Sequence, residues 1–356
     1  MANGSDAHAA HHPMLQHHFD TLDQQQNASL LGMWMFLVTE VLFFGGLFMA
    51  YILYRWMYNA SFHEASHELN VWLGLFNTAV LIGSSLTMAL AVRASKTGEK
   101  AQLVLFLILT LVLGGVFLGV KVVEYAEKFS HHLVPGEHFQ FHDAALSNGA
   151  EIYFSLYFAM TGLHATHMIL GGLVLLPIIV MAQRGWFSPE WYTPIELFGL
   201  YWHFVDIVWI FLFPLLYLMR TAFRLRQATA DTSSVRPSGF GRWLSTFRIE
   251  HSAFLSSSMH HIPTKASLVR VFGALMVLTV LTVLVSRVDL GSLNLPVALA
   301  VAVTKALLVI LLFMEVKYSP KLVQVTAGIG FVFLAIMILY TMTDYLSRNM
   351  LGVAGR

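Results

Sequence analysis

Residues 201 to 209 read Tyr-Trp-His-Phe-Val-Asp-Ile-Val-Trp, which sets a histidine and an aspartate inside a run otherwise apolar enough for lipid. A charged side chain at mid-membrane costs roughly 2.5 to 3.5 kcal/mol on insertion scales, so His203 and Asp206 must face protein and find partners on other helices. Glu40 is set the same way in Val38-Thr39-Glu40-Val41-Leu42-Phe43-Phe44. A carboxyl there either bridges helices or takes a direct part in moving protons. Asn77, in Asn77-Thr78-Ala79-Val80-Leu81-Ile82-Gly83-Ser84-Ser85, reads as a helix-to-helix hydrogen-bonding group. His164 and His167, in Thr161-Gly162-Leu163-His164-Ala165-Thr166-His167, share one helical face. Such a pair is incomplete for most metals, and nothing in the sequence brings His203 and Asp206 to complete it, so hydrogen-bond networks are the reading adopted. Lys121, Glu124 and Tyr125 close another apolar run, with Glu127 and Lys128 behind them; a solvated interfacial ion cluster accounts for them as well as any special role does. Lys305 lies near the middle of a later run, where an ammonium must snorkel, pair or lose its proton, and helix pairing is preferred to a proton relay.

The elements that must position these groups are membrane helices. Runs of about 20 apolar residues suffice to cross a roughly 30 Å hydrocarbon layer. They occur near residues 31–55, 71–92, 101–123, 151–182 and 196–219, and again near 268–286, 296–316 and 322–345. These lengths exceed what barrel strands need and lack strict alternation. The expectation is an all-α polytopic membrane bundle with eight transmembrane helices, five plus three. The fourth run, from Asn148 to Arg184, predicts a helix of about 55 Å at 1.5 Å per residue, long enough to tilt or project, with Pro177 bending its end. Turns are expected at Lys96-Thr97-Gly98, Pro135-Gly136, Ser188-Pro189 and Asp289-Leu290-Gly291.

Composition agrees and excludes several functions. The chain is 57% hydrophobic and only 12% charged, far from the soluble average. A net charge of +1 offers no concentrated basic face for phosphate, so no nucleic-acid partner is expected. The absence of cysteine removes disulfides, cysteine-ligated iron–sulfur clusters, c-type haem and thiolate-bound copper. What survives for redox chemistry is a haem or metal held chiefly by histidine.

The organisation reads as a polar, His-rich N-terminal tail (1–29), a five-helix domain (30–220), an Arg-rich linker (221–261), a three-helix domain (262–348) and a C-terminal tail (349–356). The tail carries His8, His11, His12, His17 and His18 and no Lys or Arg, and no cleavable signal peptide is expected. Within the linker, Gly239 to Leu255 could form an interfacial amphipathic helix or a plain tether.

The Trp-His-Phe-Val-Asp-x-Val-Trp stretch around His203 and Asp206 resembles the signature of the last helix of subunit III of haem-copper oxidases, the group that includes cytochrome c oxidase. The Thr-Glu-Val-Leu-Phe-Phe stretch at Glu40, the Asn-Thr and Ser-Ser pairs from Asn77 to Ser85, the Glu-Tyr pair at Glu124 and the Thr-Gly-x-His-x-x-His stretch at His164 and His167 resemble that family too, in its order. The resemblance covers roughly residues 30 to 220. It implies a redox-inert accessory subunit that packs beside subunit I, sustains proton uptake during oxygen reduction and binds lipid, with haems and copper held in subunits I and II. It implies that Glu40 is the carbodiimide-reactive carboxyl. Two helices of the seven-helix form are missing, which puts the lipid contacts in doubt. Residues 262 to 348 resemble the three-helix subunit IV of bacterial caa-type oxidases, though Met314-Glu315-Val316 stands where that family has Met-His-Leu. The resemblance implies a natural fusion of subunits III and IV in the bacterial cytoplasmic membrane, in contact with lipid and open to membership of a larger respiratory supercomplex. Two alternatives stand beside it: a His-ligated b-haem electron carrier, for which His164 and His203 are the candidate ligands, and subunit III of a quinol oxidase, against which Thr39-Glu40 favours the cytochrome c branch. The resemblance places the N-terminus in the cytoplasm and the linker outside, so the last three helices would start outside and Arg356 would end in the cytoplasm. The positive-inside rule alone would put the linker inside.

Overall fold

The computed structural model describes residues 13–218, 263–285 and 294–350. Helix α1 (Leu22–Met57) is followed by a short α2 (Asn59–His67), then α3 (Val71–Lys96), α4 (Lys100–Ser130), α5 (Ser147–Arg184) and α6 (Thr193–Tyr217). After the linker come α7 (Lys265–Val285), α8 (Asn294–Leu308), a π turn (Val309–Phe313), a 3-10 turn (Val316–Tyr318) and α9 (Lys321–Met350). The all-α membrane bundle expected from the sequence is what forms. Seven of these helices are long and apolar enough to cross a membrane. The eighth expected span, 296–316, is instead the 15-residue α8 run on by the π turn, ended by Glu315 in the left-handed region at φ 50°. Linker residues 221–261, including Gly239 to Leu255, residues 1–12 of the histidine tail with His8, His11 and His12, and the Asp289-Leu290-Gly291 turn lie outside the described residues.

Local chemistry explains the helix ends. Thr21 caps α1 by accepting from the Gln24 amide, while the Gln24 side chain accepts from Asp20 N, a near-reciprocal capping box. Asn70 caps α3 by accepting from the amides of Trp72 and Leu73. Helix α5 ends at Gly185 (φ 76°), with Gly185 N bonded to Ala182 O and Trp186 N to Met181 O, the pairing that stops a helix through a left-handed glycine. At 38 residues α5 is about 57 Å long. The turns at Gly98 and Gly136 use positive φ, as their sequences predict.

Helix α6 is the axis of the bundle, buried along most of Ile195 to Tyr217. It packs against α3, α5 and α1 on one side and α8 on the other, while α7 lies on α3 and α9 runs along α1. Gly45 leaves room for the Leu334 side chain, and Gly330 sits against Val38.

The faces of the bundle follow from its polar contacts. Gln26 near the start of α1, Lys96 at the end of α3 and Glu196 at the start of α6 meet, with Gln26 Nε2 2.7 Å from Glu196 Oε2 and Lys96 Nζ 2.9 Å from Glu196 Oε1. The opposite face is marked by Tyr51 OH donating to Leu215 O and Lys121 Nζ donating to Tyr217 OH. Arg93 Nε donates to Pro263 O at 3.0 Å and Lys265 Nζ to Gln102 Oε1 at 2.8 Å, so α7 begins on the Lys96 face, not on the face where α6 ends. The sequence expectation set the start of these helices on the face where α6 ends; among the described residues the contacts of Pro263, Lys265 and Glu315 set it beside the end of α3 instead.

Candidate functional site: a polar seam around α6

Three hydroxyls of α3 hold three members of the α6 signature. Trp209 Nε1 donates to Thr78 Oγ1 at 3.0 Å, Trp202 Nε1 donates to Ser84 Oγ at 2.9 Å, and Ser85 Oγ lies 2.8 Å from His203 Nδ1. All six side chains are buried. The antiparallel run of α3 against α6 sets this register, because residue numbers rise on one helix as they fall on the other. Ser85 also lies beside the carboxyl of Asp206, which borders a small cavity closed by Leu275 of α7 and Val309 of the π turn. Ser85 thus bonds His203, while both carboxyl oxygens of Asp206 stand without a hydrogen-bond partner among the described residues, and the ring of Phe313 covers His203 at 5.5 Å.

Asn77 departs from expectation. Its amide is fully buried with no hydrogen-bond partner among the described residues, and the interhelical bond expected of it is made one residue later by Thr78. The 100° step between neighbouring helical residues turns Thr78, rather than Asn77, toward Trp209.

Glu40 and His167 are brought together from α1 and α5, with Glu40 Oε2 3.1 Å from His167 Nε2. His167 Nδ1 lies 2.9 Å from Leu163 O, and because a carbonyl only accepts, that nitrogen carries a hydrogen. One further proton must then lie between Nε2 and the carboxyl, making the pair either neutral acid with neutral imidazole or carboxylate with imidazolium. Tyr201 of α6 donates to His167 O at 2.8 Å and fixes this corner to the axis.

His164 points elsewhere. Its Nε2 lies 3.1 Å from Val205 O and its ring packs on Phe117 and Trp209. That nitrogen must donate, which leaves the lone pair on Nδ1, buried without a hydrogen-bond partner as is Nε2 of His203, whereas His167 has both nitrogens engaged. No group of three or more His, Cys, Asp or Glu is placed to hold a metal among the described residues.

The Lys121 and Glu124 cluster is not solvated. Lys121 is 4% exposed and Glu124 1%. Lys121 Nζ donates to Glu124 Oε2 at 2.8 Å and to Tyr217 OH at 2.6 Å, Tyr217 OH donates to Glu124 Oε1, and the ammonium sits 4.6 Å from the Trp209 ring centroid. Tyr125 OH meets Thr161 Oγ1 of α5 at 2.6 Å. Lys305 is fully buried and donates to Thr282 Oγ1 of α7 at 3.2 Å, pairing α7 with α8. Sequence reasoning did not single out Tyr217, Ser85 or the Lys96 contacts. Ser85 was visible as part of the Asn77–Ser85 stretch; Tyr217 carried no signal beyond being an aromatic near a helix end.

An all-helical, polytopic membrane protein with one polar seam around a central helix is thus the class this fold defines. Residues 14–221, more than half the chain, match the family described as cytochrome c oxidase subunit III, and residues 269–339 match prokaryotic cytochrome c oxidase subunit IV. Cytochrome c oxidase subunit 3 of Corynebacterium diphtheriae is 34% identical over 196 residues, covering 54% of this chain and 89% of the relative. Quinol oxidase subunit 3 of Bacillus spizizenii is 31% identical over 192 residues, covering 54% of this chain and 87% of the relative. Cytochrome c oxidase subunit 3 of Pelomedusa subrufa is 29% identical over 204 residues, covering 54% of this chain and 70% of the relative. The chain belongs to the cytochrome c oxidase subunit III family and carries a subunit IV-like segment at its C-terminal end.

Proposed function

We propose that this chain is a noncatalytic accessory subunit of a haem-copper terminal oxidase, in which residues 30–220 do the work of subunit III and residues 262–348 that of subunit IV. Haems and copper belong to partner subunits I and II, and this chain steadies subunit I and supports proton uptake during oxygen reduction. The observation that carries this reading, beside the family match, is that His164, His167 and His203 are each tied to a different protein partner, Val205 O, Glu40 and Ser85 in turn, and so serve to join helices. Such a seam locks helices together and can hold protons, but it leaves no set of ligands turned toward one point. The match to a prokaryotic subunit IV supports a bacterial cytoplasmic membrane, and the apolar outer faces of α4 and α5 suit lipid and a neighbouring subunit.

Purification of the native complex tests the assignment. Subunits I and II should co-purify with this chain, and the separated chain should have no Soret absorbance. A Soret band stoichiometric with the chain would restore the b-haem reading. The relatives carry both cytochrome c oxidase and quinol oxidase names, so the donor is assigned on Thr39-Glu40 to cytochrome c. The complex should then oxidise reduced cytochrome c and not a quinol.

A further inference from the structure

We propose that the π turn and the residues after it, Val309 to Glu315, form the docking element that holds the C-terminal helices on the N-terminal bundle, with Glu315 as its ionic pin. Lys96 Nζ, at the end of α3, lies 2.9 Å from Glu315 Oε2 and 2.9 Å from Glu196 Oε1. One ammonium is therefore shared by two carboxylates, one from each group of helices. Glu196 is itself braced by Gln26 of α1, so the socket is built from α1, α3 and α6 before the C-terminal helices arrive.

The backbone around the pin is shaped for this contact. A π turn inserts an extra residue in the helical register, and Val309–Phe313 does so just where α8 passes α6. The insertion turns Phe313 onto the His203 ring and Val309 onto the cavity beside Asp206. Glu315 then adopts φ 50°, a region an L residue with a long side chain enters only when its surroundings impose it. That conformation ends α8 and, through the 3-10 turn, sends the chain back into α9. Arg93 with Pro263 O and Lys265 with Glu99 and Gln102 are further links between the two groups on this face. These rim links bind the start of α7, whereas the Lys96–Glu315 pin binds the joint between α8 and α9.

Hydrogen exchange of the full chain in its native complex tests this. In Glu315→Gln, amides of residues 309–318 and 92–99 should exchange about tenfold faster than in the parent, while those in the middle of α4 and α5 stay unchanged. Glu196→Gln keeps the Lys96–Glu315 contact and should leave 309–318 within about twofold of the parent. Unchanged exchange in Glu315→Gln, or equal loosening in both variants, overturns the proposal. Should Glu315→Gln fail to accumulate, the milder Glu315→Asp serves, read by disulfide formation. The chain has no cysteine, and a Cβ at Gly330 would stand 3.4 Å from Val38 Cβ, so a Val38→Cys, Gly330→Cys pair reports α9 alone. Oxidation of that pair should slow about tenfold in the Glu315→Asp background, and an unchanged rate counts against the pin.

Discussion

At the scale of single residues, energetics turn on which buried polar groups are paired: Lys121 and Glu124 are, whereas Asn77 and the Asp206 carboxyl are not. Lys121 and Glu124 are buried against Tyr217, so removing one partner strands the other. Breaking such a buried pair typically costs about 3–5 kcal/mol, whereas replacing both partners by apolar groups is often close to neutral. Lys121→Met and Glu124→Leu should therefore each lower the unfolding midpoint of the complex sharply, and the double variant should lose less than either. An additive double variant would show that the pair is not coupled. Glu40 makes a different case, because glutamine at its place can still donate to His167 Nε2. Glu40→Gln should assemble and reduce oxygen at first turnover while losing carbodiimide labelling, and labelling that persists would move that reactivity to another carboxyl. Residue identity was legible here where chemistry was local: the cost of Glu40, His203 and Asp206 in lipid is plain from the sequence. The partners were less so. Asn77 looked like the bonding group because amides are strong donors and acceptors, but helical rotation gave the task to Thr78, and the burial of Lys121 depended on Trp209 and Tyr217, about ninety residues further on.

At the scale of elements, close approach rather than hydrophobicity decides how the helices fit, since lipid is as apolar as leucine. A Cβ on Gly171 of α5 would stand 2.9 Å from Tyr201 Cε1 and 3.0 Å from Trp202 Cζ3, whereas one on Gly32 of α1 would meet nothing within 4 Å. Gly171→Ala should thus destabilise by roughly 1–3 kcal/mol, the usual range for overpacking, and Gly32→Ala should be neutral, both read as thermal midpoints of the purified complex. The long helices were legible because 20-residue apolar runs admit little else. Helix α2 was not, since Asn59-Ala-Ser-Phe-His-Glu-Ala-Ser-His67 is short and polar and owes its helix to packing on α5. The π turn was equally hidden, because an inserted residue leaves no mark in composition. The loop between α3 and α4 adds a pH dependence. Partial desolvation pushes the Glu99 carboxyl up, but Lys265, the Thr97 hydroxyl and Arg93 outweigh it and hold it below its ordinary 4.5. A carboxyl lowered in the folded state contributes stability above its unfolded value and loses it as pH falls through the folded one. Exchange at the start of α7 should therefore rise as pH drops below 4.5, after correction for intrinsic rates, and Glu99→Gln should flatten that rise.

At the scale of the whole molecule, two groups of helices were legible in the sequence, but not how one is oriented against the other. Loop charge and the subunit III resemblance disagreed about the linker, and neither bears on α7 directly. The structure decides it through contacts 163 to 219 residues apart in the chain, namely Lys265 with Gln102 and Glu315 with Lys96. Helices α1, α4 and α6 run away from the Lys96 face, α3 and α5 run toward it, and α7 starts upon it. Helix α8 returns to that face at Glu315, and α9, packed parallel to α1 through Gly45 with Leu334 and Val38 with Gly330, leaves it again. The beginning of α1 and the end of α9 consequently lie at opposite ends of the bundle. If the N-terminus is cytoplasmic, as the subunit III resemblance implies, a periplasmic phosphatase fused after Arg356 should be active and a fluorescent protein at the same place dark, while the reverse holds for fusions to the N-terminus. A fluorescent C-terminal fusion in cells whose N-terminal fusion also fluoresces would mean that the C-terminal helices enter the membrane the other way round. The Lys96–Glu315 and Arg93–Pro263 contacts could not then form, since both require the start of α7 and the end of α8 on the face where α3 ends.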